Sequence, residues 1–141
     1  MYEYSRLIYY YETDKMGVVH HSNYVRWLEE ARTFFFNDMD LAYAETESYG
    51  IMSPVTDMNL KFKHFATFGD SFTVRLKMIK YTGVRFRVKY TVVNQNDKVL
   101  FEGESGHALI NMEHKPVSLA REIPHRHELM KKLVETEEDE I

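Results

Sequence analysis

Residues 9–32, YYYETDKMGVVHHSNYVRWLEEAR, pass from an aromatic, β-like segment through an acidic turn and a glycine into an amphipathic helix. Asp14 closes the strand-like part, and His20, His21 and Ser22 stand at the helix mouth. Ser22 or Asn23 is suited to cap the helix, because a short side-chain oxygen accepts a bond from an otherwise unpaired N–H. Beyond it, Tyr24, Leu28, Ala31 and Phe35 recur at helical spacing. Trp27, Phe34 and Phe36 widen the stripe to more than half the circumference, leaving the remainder to Arg26, Glu29, Glu30 and Arg32. Such a helix is expected to be deeply buried.

The flanking sequence reads as a framework for that helix. Residues 2–11 are rich in Tyr, Ile and Leu and predict a strand. Residues 41–50 predict a short helix, AYAETES, closed by Gly50. Four alternating segments follow. In 57–64, Met58, Leu60 and Phe62 alternate with Asn59, Lys61 and Lys63. After a turn at Gly69 and Asp70 the same pattern holds for Phe72, Val74, Leu76 and Met78, and after Thr82 and Gly83 for Val84, Phe86, Val88, Tyr90 and Val92. The last segment, 99–112, loses its alternation near Gly103 and Gly106, which predicts a bulge there. Period-2 patterning means antiparallel strands with one buried face, and the short turns favour a meander. Residues 119–134 read as a surface helix, and ETEEDEI at 135–141 as an acidic, disordered tail. The expected fold is α+β: a five-stranded antiparallel sheet wrapped around a long central helix, with a C-terminal helix, in one domain over residues 1–134. An open sheet edge and ten Tyr with nine Phe predict a homodimer or homotetramer.

Composition removes several classes of function. A net charge of −4 disfavours nucleic acid as partner, since phosphate binding needs a basic face. There is no cysteine, hence no disulfide, thiolate nucleophile or zinc–thiolate site, which suits a cytoplasmic protein. The N-terminus lacks the pattern of a signal peptide, and no run approaches the ~18 apolar residues of a membrane span. No metal site is expected. His125 and His127 would point about 200° apart on a helix, and His64, His107 and His114 lie on separate elements without a patterned acidic partner. Neither a Gly-rich phosphate loop nor a G-x-S-x-G elbow is present.

Residues 13–24, T-D-x-x-G-V-V-H-H-x-x-Y, resemble the signature of hotdog-fold acyl-CoA thioesterases, in the hydroxybenzoyl-CoA thioesterase or YbgC-like branch. FATFGD at 65–70 resembles the family's turn between its second and third strands. The likeness covers about residues 4–112 and is strongest at Asp14, Gly17 and His21. It implies hydrolysis of acyl-CoA to acid and CoA without a metal or redox cofactor, with Asp14 as nucleophile or base and His21 near the thioester carbonyl. The residue types suit this chemistry. A carboxylate can attack directly or activate water, and the N–H groups of a helix N-terminus can hold an oxyanion. The backbone of 17–21 is the expected donor segment, with Gly17 allowing close approach because it has no Cβ. Val19, His20 and Tyr24 are candidate substrate contacts. Trp27, Phe34, Phe35 and Met58 suit an acyl pocket or simple core packing equally well. Lys61, Lys63, Arg75, Lys77, Arg85, Arg87 and Lys89 fall on polar strand faces, either as a solvated surface or as contacts for CoA phosphates. Competing functions are an acyl-carrier-protein thioesterase, a hotdog dehydratase and a non-catalytic acyl-CoA binding module. The dehydratase is disfavoured, because no glutamate lies in an apolar stretch of the helix.

Overall fold

The computed structural model describes residues 1–14 and 16–135. The chain runs through β1 (Tyr2–Leu7), a 3-10 turn (Tyr10–Glu12), α1 (Ser22–Asp38), α2 (Tyr43–Ser48) and β2 (Val55–Phe62). It continues through β3 (Ser71–Tyr81), β4 (Arg85–Asn94), β5 (Val99–Ala108), α3 (Leu119–Glu122) and α4 (Pro124–Leu133). The strands form one antiparallel sheet in the order β1-β3-β4-β5-β2. Of the expected acidic tail, residues 136–141 lie outside the described residues; the Glu135 N–H donates to Met78 O at 2.7 Å.

Core packing follows the two periodicities. Phe72, Val74, Leu76 and Met78 of β3 and Phe86, Val88, Tyr90 and Val92 of β4 are buried on one face of the sheet. Against them α1 turns Tyr24, Trp27, Leu28, Ala31, Phe35 and Phe36. Trp27 stacks on Phe72 with centroids 3.9 Å apart, and Tyr24 on Phe101 at 4.5 Å. The buried stripe is narrower than expected, because Phe34 is exposed. Arg32, assigned to the polar side, is buried one turn beyond Leu28, and its Nη1 donates to Tyr90 Oη at 2.9 Å.

Several expected boundaries shift for local reasons. The first strand stops at Leu7, and the aromatic run beyond it makes the 3-10 turn. The C-terminal helix is split, because Pro124 has no N–H and forces Ile123 out of helical geometry, to φ −139°. Gly103 and Gly106 are regularly paired. The irregularities lie at Leu100 of β5, between Val99 and Phe101, and in β2 between Val55 and Asp57, opposite His107 and Gly106; the glycines make room for the β2 residues beside them. Only β3, β4 and β5 form a meander. β2 pairs with β5 at the far edge, so residues 63–70 cross the end of the sheet instead of making a tight turn. Eight residues reach up to ~27 Å, enough to span the three inter-strand spacings of about 4.8 Å from β2 past β5 and β4 to β3. At the edge, Met58 and Leu60 are only half-buried and Phe62 is exposed.

A buried polar chain crosses the core beneath β4 and β5. Tyr90 Oη lies 2.5 Å from Ser105 Oγ, which lies 2.8 Å from His107 Nε2, and His107 stacks on Phe86 at 4.6 Å. Burial and then the nearby Arg32 charge push His107 from 6.5 down to about 4. The unfolded chain therefore binds a proton between those pH values that the folded chain does not, and stability is lost as pH falls through that window. From pH 7 to pH 5 the loss expected from this residue is about 2 kcal/mol. Urea unfolding at the two pH values measures it, and a His107→Gln variant should show a flatter dependence.

Candidate active site

Asp14 opens a tight loop. Its N–H donates to Val18 O at 2.8 Å, the Gly17 N–H returns to Asp14 O at 3.0 Å, and Thr13 bridges Val19 across the stem. Gly17 has φ +79°, in the left-handed region that glycine adopts without strain, and nothing lies within 4 Å of where a Cβ would sit. Within the chain it is the turn, and not a close approach, that calls for glycine. Asp14 Oδ1 accepts the Met16 and Val18 N–H groups at 2.8 and 3.2 Å. Oδ2 has no partner among the described residues, and the side chain is exposed.

The loop is pinned to the 63–70 crossover. The Val19 N–H donates to Ala66 O at 2.8 Å, the Phe68 N–H to Gly17 O at 2.9 Å, and Val18 bridges Thr67. These bonds decide which N–H groups remain available. Those of Gly17, Val18, Val19 and His20 are spent on Asp14 O, Asp14 Oδ1, Ala66 O and Glu12 O. The His21 N–H has no acceptor among the described residues and stands at the N-cap of α1, at the positive end of the helix dipole. The expected donor segment thus narrows to one group.

Neither Ser22 nor Asn23 caps the helix as expected. The Ser22 N–H donates to His20 Nδ1 at 3.2 Å, so a histidine performs that role. Asn23 is buried and its Nδ2 donates to Glu12 O and His20 O. Because His20 Nδ1 accepts, neutral His20 carries its proton on Nε2. The His20 and His21 rings stack at 4.4 Å.

A cleft of about 690 Å³ opens here, within the range of small-ligand sites. Asp14, Val18, Val19, His20, His21 and Tyr24 line one side, and Phe62, Lys63, His64 and Phe65 the other. Of the residues singled out in the sequence, Asp14, Val19, His20, His21 and Tyr24 come together on this cleft; Gly17 stands behind it in the loop. Trp27 and Phe35 belong to the core, Phe34 packs on Tyr4 at 5.0 Å, and Met58 sits on the edge strand.

The second wall was not foreseen. In the sequence His64 reads only as a rejected metal ligand, and Lys63 as a residue on a polar strand face, solvated or facing CoA phosphates. His64 Nδ1 lies 2.9 Å from Val99 O; a carbonyl only accepts, so this nitrogen is the donor, and in the neutral tautomer the lone pair lies on Nε2. The polar face of the sheet is also less basic than the cations alone implied. Arg75 pairs with Glu3 and Asp97 at 3.3 and 3.0 Å, Arg87 with Asp57 and Glu104 at 3.0 and 3.6 Å, and Lys63 with Glu102 at 3.9 Å. Among the described residues no helix is long and apolar enough to cross a membrane.

Comparison with known proteins bears on what such a cleft does. The model of the thioesterase-like superfamily matches residues 10–133. The putative acyl-CoA thioesterase YneP of Bacillus subtilis strain 168 is 31% identical over 119 residues, which is 84% of this chain and 86% of the relative. The structure of a DHNA-CoA thioesterase from Staphylococcus aureus superimposes with a TM-score of 0.87 at 34% identity, covering 92% of this chain and 88% of that one. A hypothetical protein from Thermus thermophilus gives a TM-score of 0.84 at 27% identity, covering 96% and 98%. With a family model that spans the whole cleft and relatives matched over most of their length, the chain belongs to the thioesterase-like superfamily of hotdog-fold thioester hydrolases.

Proposed function

We propose that the chain hydrolyses acyl-CoA thioesters to the free acid and CoA. One observation carries this reading: Asp14, whose carboxylate has one oxygen without a partner among the described residues, and His21, whose N–H at a helix N-terminus has no acceptor among them, line one largely apolar cleft. Asp14 acts as nucleophile or as general base. As base it takes a proton from water while the water oxygen bonds to the thioester carbon. As nucleophile its own oxygen makes that bond, and water then opens the mixed anhydride. In both routes negative charge grows on the carbonyl oxygen and is received by the His21 N–H. The loss of one such donor costs on the order of 3–4 kcal/mol in acyl transfer. Collapse breaks the C–S bond, and the CoA thiolate leaves and is protonated. Val19, His20 and Tyr24 contact the acyl-thioester, with Gly17 shaping the loop behind Asp14.

The same reading makes α1 the central helix around which the sheet wraps, in one domain over residues 1–134. It makes the protein a cytoplasmic homodimer or homotetramer, which suits an edge strand β2 ending in an exposed Phe62. The decisive experiment follows thiol release from short, long and aromatic acyl-CoAs and from an acyl carrier protein thioester. Turnover of acyl-CoA is the expected result. Binding without thiol release would replace the hydrolase by an acyl-CoA binding module, and activity confined to the carrier protein would change the substrate class.

A further inference from the structure

Glu12 lies two residues before Asp14, outside the cleft, and is only 3% exposed. Its Oε1 accepts bonds from Arg6 Nη1 and the Tyr9 N–H at 2.9 and 2.8 Å. Its Oε2 accepts bonds from Arg6 Nη2 and the Trp27 indole N–H, both at 2.8 Å. Its main-chain carbonyl accepts the His20 N–H and Asn23 Nδ2, both at 3.0 Å. One residue thus joins β1, the entrance of α1 and the second turn of that helix to the 3-10 turn leading into Asp14. Arg6 is itself held firmly: it also binds Glu30, and its guanidinium lies over the Tyr9 and Phe72 rings at 4.2 and 4.9 Å. Burial raises the Glu12 carboxyl, but the bonds from Arg6, Trp27 and Tyr9 outweigh it and hold the group below the usual carboxylate range.

We propose that Glu12 is a positioning residue for the hydrolysis: its carboxylate joint sets Asp14 and the His21 N–H at their working separation. The inference rests on the hydrolase reading above. It requires a carboxylate in particular. Four N–H donors converge on two oxygens, and a glutamine of the same size would turn its own NH2 toward Arg6 or Trp27, placing donor against donor. The loop and the helix entrance would then part slightly. A displacement of about 1 Å at a reacting group costs on the order of 10²-fold in rate, while substrate contacts made elsewhere survive.

Trp27 is the only tryptophan in the chain and is fully buried, so its emission reports on this joint. In Glu12→Gln, kcat for acyl-CoA is expected to fall on the order of 10²-fold with KM within about threefold. Trp27 emission should shift, and amide exchange at His20 should quicken. A shifted emission and faster exchange with kcat within about twofold of wild type would overturn the proposal, as would a raised KM at unchanged kcat. If Glu12→Gln does not fold, Trp27→Phe removes one donor and spares the Arg6 ion pair; kcat should fall about tenfold, and an unchanged kcat overturns the proposal. If wild type hydrolyses no acyl-CoA, the hydrolase reading fails by itself. The joint is then judged on His20 exchange in Glu12→Gln, where unaltered protection rules it out.

Discussion

Asp14→Asn is expected to leave the fold intact and to lower kcat for acyl-CoA on the order of 10³-fold or more. The fold survives because the oxygen that matters for structure is kept. An asparagine Oδ1 can still accept the Met16 and Val18 N–H groups, and its NH2 replaces Oδ2, which has no partner among the described residues. The charge is lost, and with it the group proposed as nucleophile or base. Thiol release at saturating substrate together with thermal unfolding checks both halves. A variant as active as wild type would remove Asp14 from the chemistry.

A large effect on stability is expected outside the cleft lining, at Gly103. There a Cβ would overlap the Asn59 carbonyl oxygen and come within 2.7 Å of Leu60 Cδ2 and 3.0 Å of Leu60 Cα. Backbone cannot swing aside as a side chain can, so Gly103→Ala has to displace edge strand β2. The cost is about 3 kcal/mol, or a drop in Tm on the order of 10 °C. Gly106→Ala is the control. Its Cβ would meet Asp57 Oδ1 and Arg87 Nη1, the ends of flexible, solvent-facing side chains that can turn away. A clearly smaller drop in Tm is expected, and equal losses at the two glycines would refute the distinction. Activity should fall in Gly103→Ala as well, since Phe62 at the end of β2 lines the cleft.

The first wall of the cleft was legible because it is local in sequence. Asp14, Val19, His20, His21 and Tyr24 lie within eleven residues on one loop and the first turn of α1, so their spacing already implies that they meet. Hydrogen-bond accounting was not legible. That the Val19 and His20 donors are spent, leaving the His21 N–H without an acceptor among the described residues, depends on Ala66, brought in by the crossover, and on Glu12. Glu12 read as one more charge in an acidic turn, because nothing nearby in sequence signals that Arg6 and Trp27 converge on it. The donor nitrogen of His64 was hidden for the same reason: its partner is Val99, thirty-five residues away.

The sequence by itself determined the element types, the buried faces of α1, β3 and β4, and the motif that places Asp14 before a helix N-terminus. These follow from periodicities of 3.6 and 2 and from turn chemistry, which act over a few residues. Tertiary structure decided the strand order, the second wall of the cleft and which N–H group at the helix mouth is left without an acceptor among the described residues. An eight-residue crossover and a two-residue turn differ little in local pattern. The sheet edge at which β2 lies is settled by pairing with β5, some forty residues away, and that pairing brings Lys63, His64 and Phe65 opposite Asp14.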